Sequence, residues 1–318
     1  MSSVALGPVG AWIGAFTVAP AAEARPAARE IEELGYDTLW YPEGLGTRES
    51  FTNAAVLLGA TERIRVAAGI ANIWARDPVA AANAARVLAD AFDDRFLLGL
   101  GVSHARQVDP RGHRYEHPVE RMSAYLDAMD ADPVVSPDTE GDARPPVPRV
   151  LAALRPKMLR LAGEKAAGAH TYLVPVEHTR RARELLGPDK LLIVEQKVAL
   201  GDCGDGRARA AIAWYLDTPN YLNNLRWLGF SDADFEDGGS DALVAALVAA
   251  GDEETIVARV QEHLDAGATQ VAIQPLEDDD PFGRETLRRL AWRLGTPTPL
   301  STGQSGQKGK GAEQAPFP

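Results

Sequence analysis

The side chains able to do chemistry in this chain stand at the ends of apolar runs. Glu43 follows TLWYP, Gly69 and Ile70 close RVAAGI, and Gly99, Gly101, Val102, Ser103 and His104 close the segment FLLGLGVSH. Further on, Ala153, Leu154 and Arg155 lead into Pro156, Gly168, His170 and Tyr172 lie in AAGAHTYLVP, and Glu195 and Lys197 share one face of LLIVEQKVAL. A carboxylate just past a strand can bond a ring or exchange a proton if its pKa is raised. Imidazole and hydroxyl beside glycines combine proton exchange with close backbone approach. Arg155 beside a proline placed as a first helical residue makes an anion site with the helix amides. Each also has a plainer reading: a cap for Glu43, a strand terminus for Gly69, packing for Tyr172, internal pairing for Glu195 and Lys197. The six histidines show no clustered ligand spacing, which argues against a metal-dependent hydrolase.

The elements that position these groups alternate between strand and helix. Strands are predicted at 11–16, 38–41, 64–70, 96–100, 149–153, 169–174, 191–199 and 270–274, separated by amphipathic helices that often begin at proline and stop at glycine. Eight such units fit a closed (β/α)₈ TIM barrel, an α/β fold whose active site is built at the C-terminal strand ends. No GxGxxG follows the first strand, which ends in AFTVAP, so a doubly wound dinucleotide fold is disfavoured. The interval 201–267 holds more helix than one crossover needs and reads as a helical insertion between strands 7 and 8. The expected organisation is one barrel domain over 1–295, with a long polar loop at 130–148 and a disordered Gly/Pro/Ser/Gln-rich tail at 296–318.

Composition narrows the class of partner. The chain has 318 residues, with 33 Lys and Arg against 45 Asp and Glu for a net charge of −12, and no basic run interleaved with aromatics, so nucleic acid is not expected. Val4 to Ala22 is nearly uncharged, but it lacks a preceding basic residue and is broken by Gly7, Pro8, Gly10 and Gly14, so it reads as a buried first strand and not a secretory signal. No stretch approaches a membrane span, and the single cysteine, Cys203, suits a reducing cytoplasm.

Taken in order, TLWYPEG, RIRVAAGIANIWARDP, DRFLLGLGVSHA, GHRYEHPVERMSAYLDAM, VLAALRPKMLRLAGEKAAGAHTYLVP and GATQVAIQPL resemble the luciferase-like monooxygenase superfamily, and more narrowly its actinobacterial F420-dependent oxidoreductase branch. The likeness spans about residues 12–295. It implies a TIM barrel holding a flavin or deazaflavin ring in its mouth, a homodimer, and hydride transfer between coenzyme F420 and a small organic substrate. Under it, Gly69 and Ile70 map to a non-prolyl cis peptide behind the ring. Gly101, Val102, Ser103 and His104 map to the turn beside the ring and its chain, and Ala153, Leu154, Arg155, Gly168 and His170 to the phosphate turn. Where several F420 enzymes carry Asp followed by His after strand 2, this chain has Glu43 and Gly44, so the resemblance leaves His104 or Glu43 as the catalytic proton-exchanging group. Arg76, Arg106 and Arg155 are the basic candidates for the acidic F420 tail. The alternatives are an FMN-dependent monooxygenase supplied by a reductase partner, and a flavin-binding barrel without catalysis.

Overall fold

The computed structural model describes residues 5–131, 147–201, 205–277 and 279–296. The expected tail from 297 onward, most of the 130–148 loop and Cys203 lie outside the described residues. In chain order the elements are β1 (Val9–Trp12), α1 (Ala21–Glu33), β2 (Thr38–Pro42), α2 (Ser50–Leu58), β3 (Arg65–Asn72), α3 (Pro78–Ala91), β4 (Phe96–Gly101), α4 (Ala105–Val108) and α5 (Pro118–Asp130). They continue as β5 (Arg149–Ala152), α6 (Pro156–Lys165), β6 (Gly168–Thr171), α7 (Val176–Leu186), β7 (Leu191–Leu200), α8 (Asp205–Ala213), α9 (Pro219–Leu228), α10 (Asp241–Leu247), β8 (Val248–Gly251), α11 (Glu253–Asp265), β9 (Gln270–Pro275) and α12 (Arg284–Ala291).

Strands β1 to β6 pair in sequence, β6 pairs with β7, β7 with β9 and β9 with β1, all in parallel. The result is the expected closed eight-stranded barrel with helices around it. The first strand is shorter than predicted, because Gly14–Thr17 forms a 3₁₀ turn in place of its second half.

The insertion differs from expectation in one respect: it is not wholly helical. β7 has ten residues and β6 only four, so the second half of β7 outruns its neighbour. Lys197–Leu200 would then expose unpaired backbone groups, and β8 pairs with those four residues in parallel. The chain runs from α10 directly into β8, then through α11 to β9.

Two apolar layers follow from strand alternation. One face of each strand packs under the helices, as with Val66, Ala68, Leu98, Leu100, Val194 and Ile273, while the other fills the barrel with Trp12, Trp40, Ala67, Leu97, Val150, Ile193 and Ala272. Helix starts are set by local chemistry: the Asp77 carboxylate accepts from the Val79 and Ala80 amides ahead of Pro78 at the start of α3. Among the described residues, no helix is long and apolar enough to cross a membrane.

β4 meets β3 more closely than an ordinary strand could. A Cβ at Gly99 would overlap the carbonyl oxygens of Ala68 and Gly69, which are backbone atoms that cannot rotate away. A Cβ at Gly206, near the start of α8, would meet open space. Gly99→Ala is therefore expected to lower stability by about 3 kcal/mol, an overpacking cost, whereas Gly206→Ala should raise it by about 0.5 kcal/mol. Urea unfolding of the two variants beside the parent protein measures both.

Candidate active site

The barrel interior narrows to an aromatic plug. Trp40 donates from Nε1 to Gln270 Oε1 at 2.7 Å, and the His170 ring lies between Trp12 and Trp40 with centroids at 4.7 and 5.2 Å. His170 is 1% exposed, and neither ring nitrogen has a partner among the described residues. Burial drives its pKa down to about 3, so it is neutral. The structure thus sets His170 in the barrel packing, between the two tryptophans. Gly168 is likewise a packing residue, since a Cβ there would strike the Leu191 backbone.

At the end of β3 the pairing with β4 shifts between Ala68 and Ala71, and the pairing with β2 shifts between Tyr41 and Pro42. The expected cis peptide at Gly69 and Ile70 is not found: among the described residues every peptide is trans. The bulge alone re-aims the chain. It places the Ile70 side chain over Gly101, where a Cβ would collide with it, and leaves Gly69 facing the Trp12 indole. The glycines thus admit protein atoms, and half-buried Ile70 with buried Trp12 beside it forms an apolar shelf at the mouth. Asn72 follows on β3, 1% exposed, and its Nδ2 donor has no partner among the described residues.

Glu43 is fully committed. One carboxylate oxygen accepts from the Ser50 amide at 3.2 Å, the other from the Asn72 amide at 2.6 Å and Arg76 Nη1 at 2.9 Å, and Arg76 Nη2 completes a bidentate pair. Arg76 also reaches Glu49 at 2.7 Å. Burial works against the Arg76 guanidinium, but Glu43 and Glu49 more than offset it and hold its pKa above the ordinary value. Glu43 is therefore a latch between the β2 loop, α2 and the end of β3. The geometry gives it no free lone pair for proton exchange, and Arg76 is no longer available to an acidic tail.

The β4 turn carries Ser103 in the left-handed region at φ 58°, while the Val102 carbonyl accepts from Trp74 Nε1 at 2.9 Å. His104 follows, facing the insertion: its ring is 5.8 Å from Tyr221 and 6.2 Å from Trp214, with a hydrogen bond to Asn220. Burial lowers its pKa, so it is neutral near pH 7. The β5 turn runs through buried Ala153, half-buried Leu154 and exposed Arg155, the residue just before α6, whose side chain makes no cap hydrogen bond. The Leu154 carbonyl is tied to α7 by His178 Nε2 at 2.6 Å. Exposed Lys157 stands beside Arg155, so both cations flank the positive end of a ten-residue helix. Arg106 is also exposed and reaches the Asp217 carbonyl at 3.2 Å.

Sequence reasoning missed the roof. Trp214, Tyr215 and Tyr221 come from the insertion; Tyr215 and Tyr221 pack against Tyr172, with Tyr172 to Tyr215 at 5.5 Å and Tyr215 to Tyr221 at 4.9 Å, and Trp214 lies edge-on to Tyr215. Beneath them Lys197 and Glu195 pair inside the barrel, each 1% exposed. The aromatic density of AWYLDTPNYL was the available signal. Trp12 and Asn72 were missed too, because neither falls at the predicted end of a strand.

Comparison with known proteins settles the family: residues 1–188 match the luciferase-like monooxygenase model. The chain belongs to that family of enzymes. A Mycobacterium tuberculosis protein named as a coenzyme F420-dependent oxidoreductase is 30% identical over 153 residues, covering 48% of this chain but 40% of its own length. The chain thus matches less than half of that relative. The 5,10-methylenetetrahydromethanopterin reductase of Methanolobus tindarius is 24% identical, covering 73% of this chain and 69% of its own. Among solved structures, an F420-dependent secondary alcohol dehydrogenase in complex with an F420–acetone adduct shares the fold at TM-score 0.71 and 14% identity, covering 90% of this chain and 98% of that one.

Two outcomes test this geometry. Arg76→Met leaves the Glu43 carboxylate buried beside a lost partner and should destabilise the protein by about 3–5 kcal/mol, measured by urea unfolding. The second concerns acid. His170 and His263 are held down to about 3 and His178 to about 4 by burial. Their folded pKa values lie below the unfolded one, so their stabilisation is complete above about pH 6.5 and is lost as pH falls. At pH 5 each should cost about 2 kcal/mol. A melting temperature equal at pH 7 and pH 5 would refute the neutral buried imidazoles.

Proposed function

We propose that this chain is an oxidoreductase that binds coenzyme F420 at the barrel mouth and moves a hydride between it and a small organic substrate. The observation that carries this reading is the β3 bulge, which sets an apolar shelf of Ile70 and Trp12 beside the side-chain Nδ2 of Asn72, a donor without a partner among the described residues. A flat ring with a carbonyl-bearing edge fits that pairing of surface and donor. Ser103 and Val102 on the β4 turn would border the ring. Arg155, Lys157 and the first amides of α6 supply the cationic end that a phosphodiester and an acidic tail need. The name of the Mycobacterium tuberculosis relative and the F420-bound fold neighbour support the same cofactor.

The bound deazaflavin supplies the hydride-carrying carbon. The chain's own residues orient and shield. Ile70 and Trp12 back the ring, and Tyr215, Tyr221 and Trp214 cover the mouth and keep water out. His104, tied to Asn220, joins the β4 turn to that roof.

Titration with F420 and, separately, FMN, followed by tryptophan fluorescence, tests the assignment, with Ser103→Tyr as the blocked-site control. Trp12 on the shelf makes a fluorescence change expected. The reading requires F420 binding tighter than about 100 µM, which is about −5.5 kcal/mol, with loss in the control. Tight FMN binding alone would instead identify an FMN monooxygenase.

A further inference from the structure

The Glu195–Lys197 pair stands under the mouth, and cofactor binding leaves it unused. Nζ of Lys197 lies 3.3 Å from Glu195 Oε1. Burying two charges is costly unless their remaining hydrogen-bonding capacity is filled, and here it is. Lys197 Nζ donates to the Tyr172 hydroxyl at 2.7 Å and to Gln274 Oε1 at 3.0 Å, and Glu195 Oε2 accepts from the Leu173 amide at 3.0 Å. Leu173 has φ 55°, in the left-handed region that a branched side chain enters only when its surroundings force it. The ion pair therefore grips one residue at both ends. Its carboxylate pins the strained turn just after Tyr172, and its ammonium pins the Tyr172 hydroxyl.

Tyr172 follows β6 directly, at the catalytic end of the barrel, with its ring 5.3 Å from Trp12 on the shelf. Its hydroxyl donates to Gln274 Oε1 at 3.0 Å and lies 2.8 Å from the hydroxyl of Tyr215, a half-buried residue of the roof. A line of polar hydrogens thus runs from Lys197 through Tyr172 to Tyr215. Burial, with Glu195 adding to it, pushes the Tyr172 phenol well above its ordinary range, so it stands protonated at neutral pH.

Resting on the hydride-transfer reading above, the geometry points to Tyr172 as the proton donor to a carbonyl substrate's oxygen, with Glu195 and Lys197 as its positioning residues. In the step, the carbonyl carbon receives a hydride, two electrons with one proton, from the reduced deazaflavin. The C=O π pair moves to oxygen, and that oxygen takes the Tyr172 proton, which turns to it from Gln274 Oε1. The phenolate left behind faces Lys197 Nζ and the Tyr215 hydroxyl, two donors, and regains its proton from solvent through Tyr215. The reduced ring's N–H proton is released to solvent as the hydride leaves and balances the one regained through Tyr215, so the sum is carbonyl and reduced cofactor giving alcohol and oxidised cofactor. An alcohol is oxidised by the same steps reversed. The substrate class is a small ketone or aldehyde and its alcohol.

Tyr172→Phe and the double variant Glu195→Gln/Lys197→Met, which removes both charges together, test the assignment. Each is titrated with F420, melted, and assayed with reduced F420 on short ketones and aldehydes. The apo proteins, labelled with ¹³Cζ-tyrosine, are compared by NMR. Tyr172→Phe should bind F420 within about twofold of the parent and lose about 10²–10³-fold in kcat with little change in KM. The double variant keeps the hydroxyl and should show a smaller loss in kcat. Its Tyr172 Cζ resonance, assigned by its absence from Tyr172→Phe, should move from the parent position. Parental kcat in Tyr172→Phe, or a parent protein that binds F420 yet reduces no carbonyl, overturns the donor role. An unmoved resonance overturns the positioning role. If Tyr172→Phe does not fold, undiminished kcat in the double variant refutes the proposal. A parent protein that fails to bind F420 is a different result, and it removes the cofactor reading and this step together.

Discussion

The contact between β3 and β4 is the constraint on which the rest of the mouth depends. Glycine at position 99 lets the β3 carbonyls press against β4, and the register shift that follows has three consequences. Ile70 is turned over Gly101, Gly69 is turned to Trp12, and the Asn72 amide arrives where Glu43 can take it. Shelf, plug and latch are thus one arrangement. It is set by backbone sterics, which makes it rigid before any ligand is present.

Charge is then placed according to how well it can be satisfied. Glu43 with Arg76, and Glu195 with Lys197, are both buried, yet each carboxylate also accepts backbone amides. The first pair joins loops on the β2–β3 side, and the second holds a strained turn on the β6 side. Their difference lies in what remains free. Arg76 is consumed by two carboxylates, while Lys197 still presents a donor to a phenol. The barrel thus carries one closed electrostatic unit and one that communicates with the roof.

Much of this was legible in the sequence. Alternating apolar runs fixed strand order and barrel closure, because each buried strand face needs a helix or the barrel interior to cover it. Glu195 and Lys197 could be assigned to one face from spacing alone. Position at a strand end could not distinguish a reactive Glu43 from a latched one, since that depends on Arg76 and two amides remote in sequence. For His170, alternation points into the barrel, where two tryptophans flank it, and that packing could not be read from the strand-end position that the family resemblance used. β8 was hidden because VAALVAAG is as compatible with a helix as with a strand, and only the overhang of β7 selects the strand.

That overhang has a wider consequence. β7 is shared lengthwise, its first half belonging to the barrel neighbour β6 and its second half to β8 from the insertion. The insertion is spliced onto the barrel by a segment that β6 never reaches. Its helices can therefore be lengthened, shortened or rewritten over evolutionary time without disturbing the hydrogen-bond ladder that closes the barrel. Because Lys197 is the first residue of the splice, a change of roof is felt at the one interior cation that touches the phenol. New substrate preferences could be acquired by exchanging a module while the inherited chemistry below it stays in place.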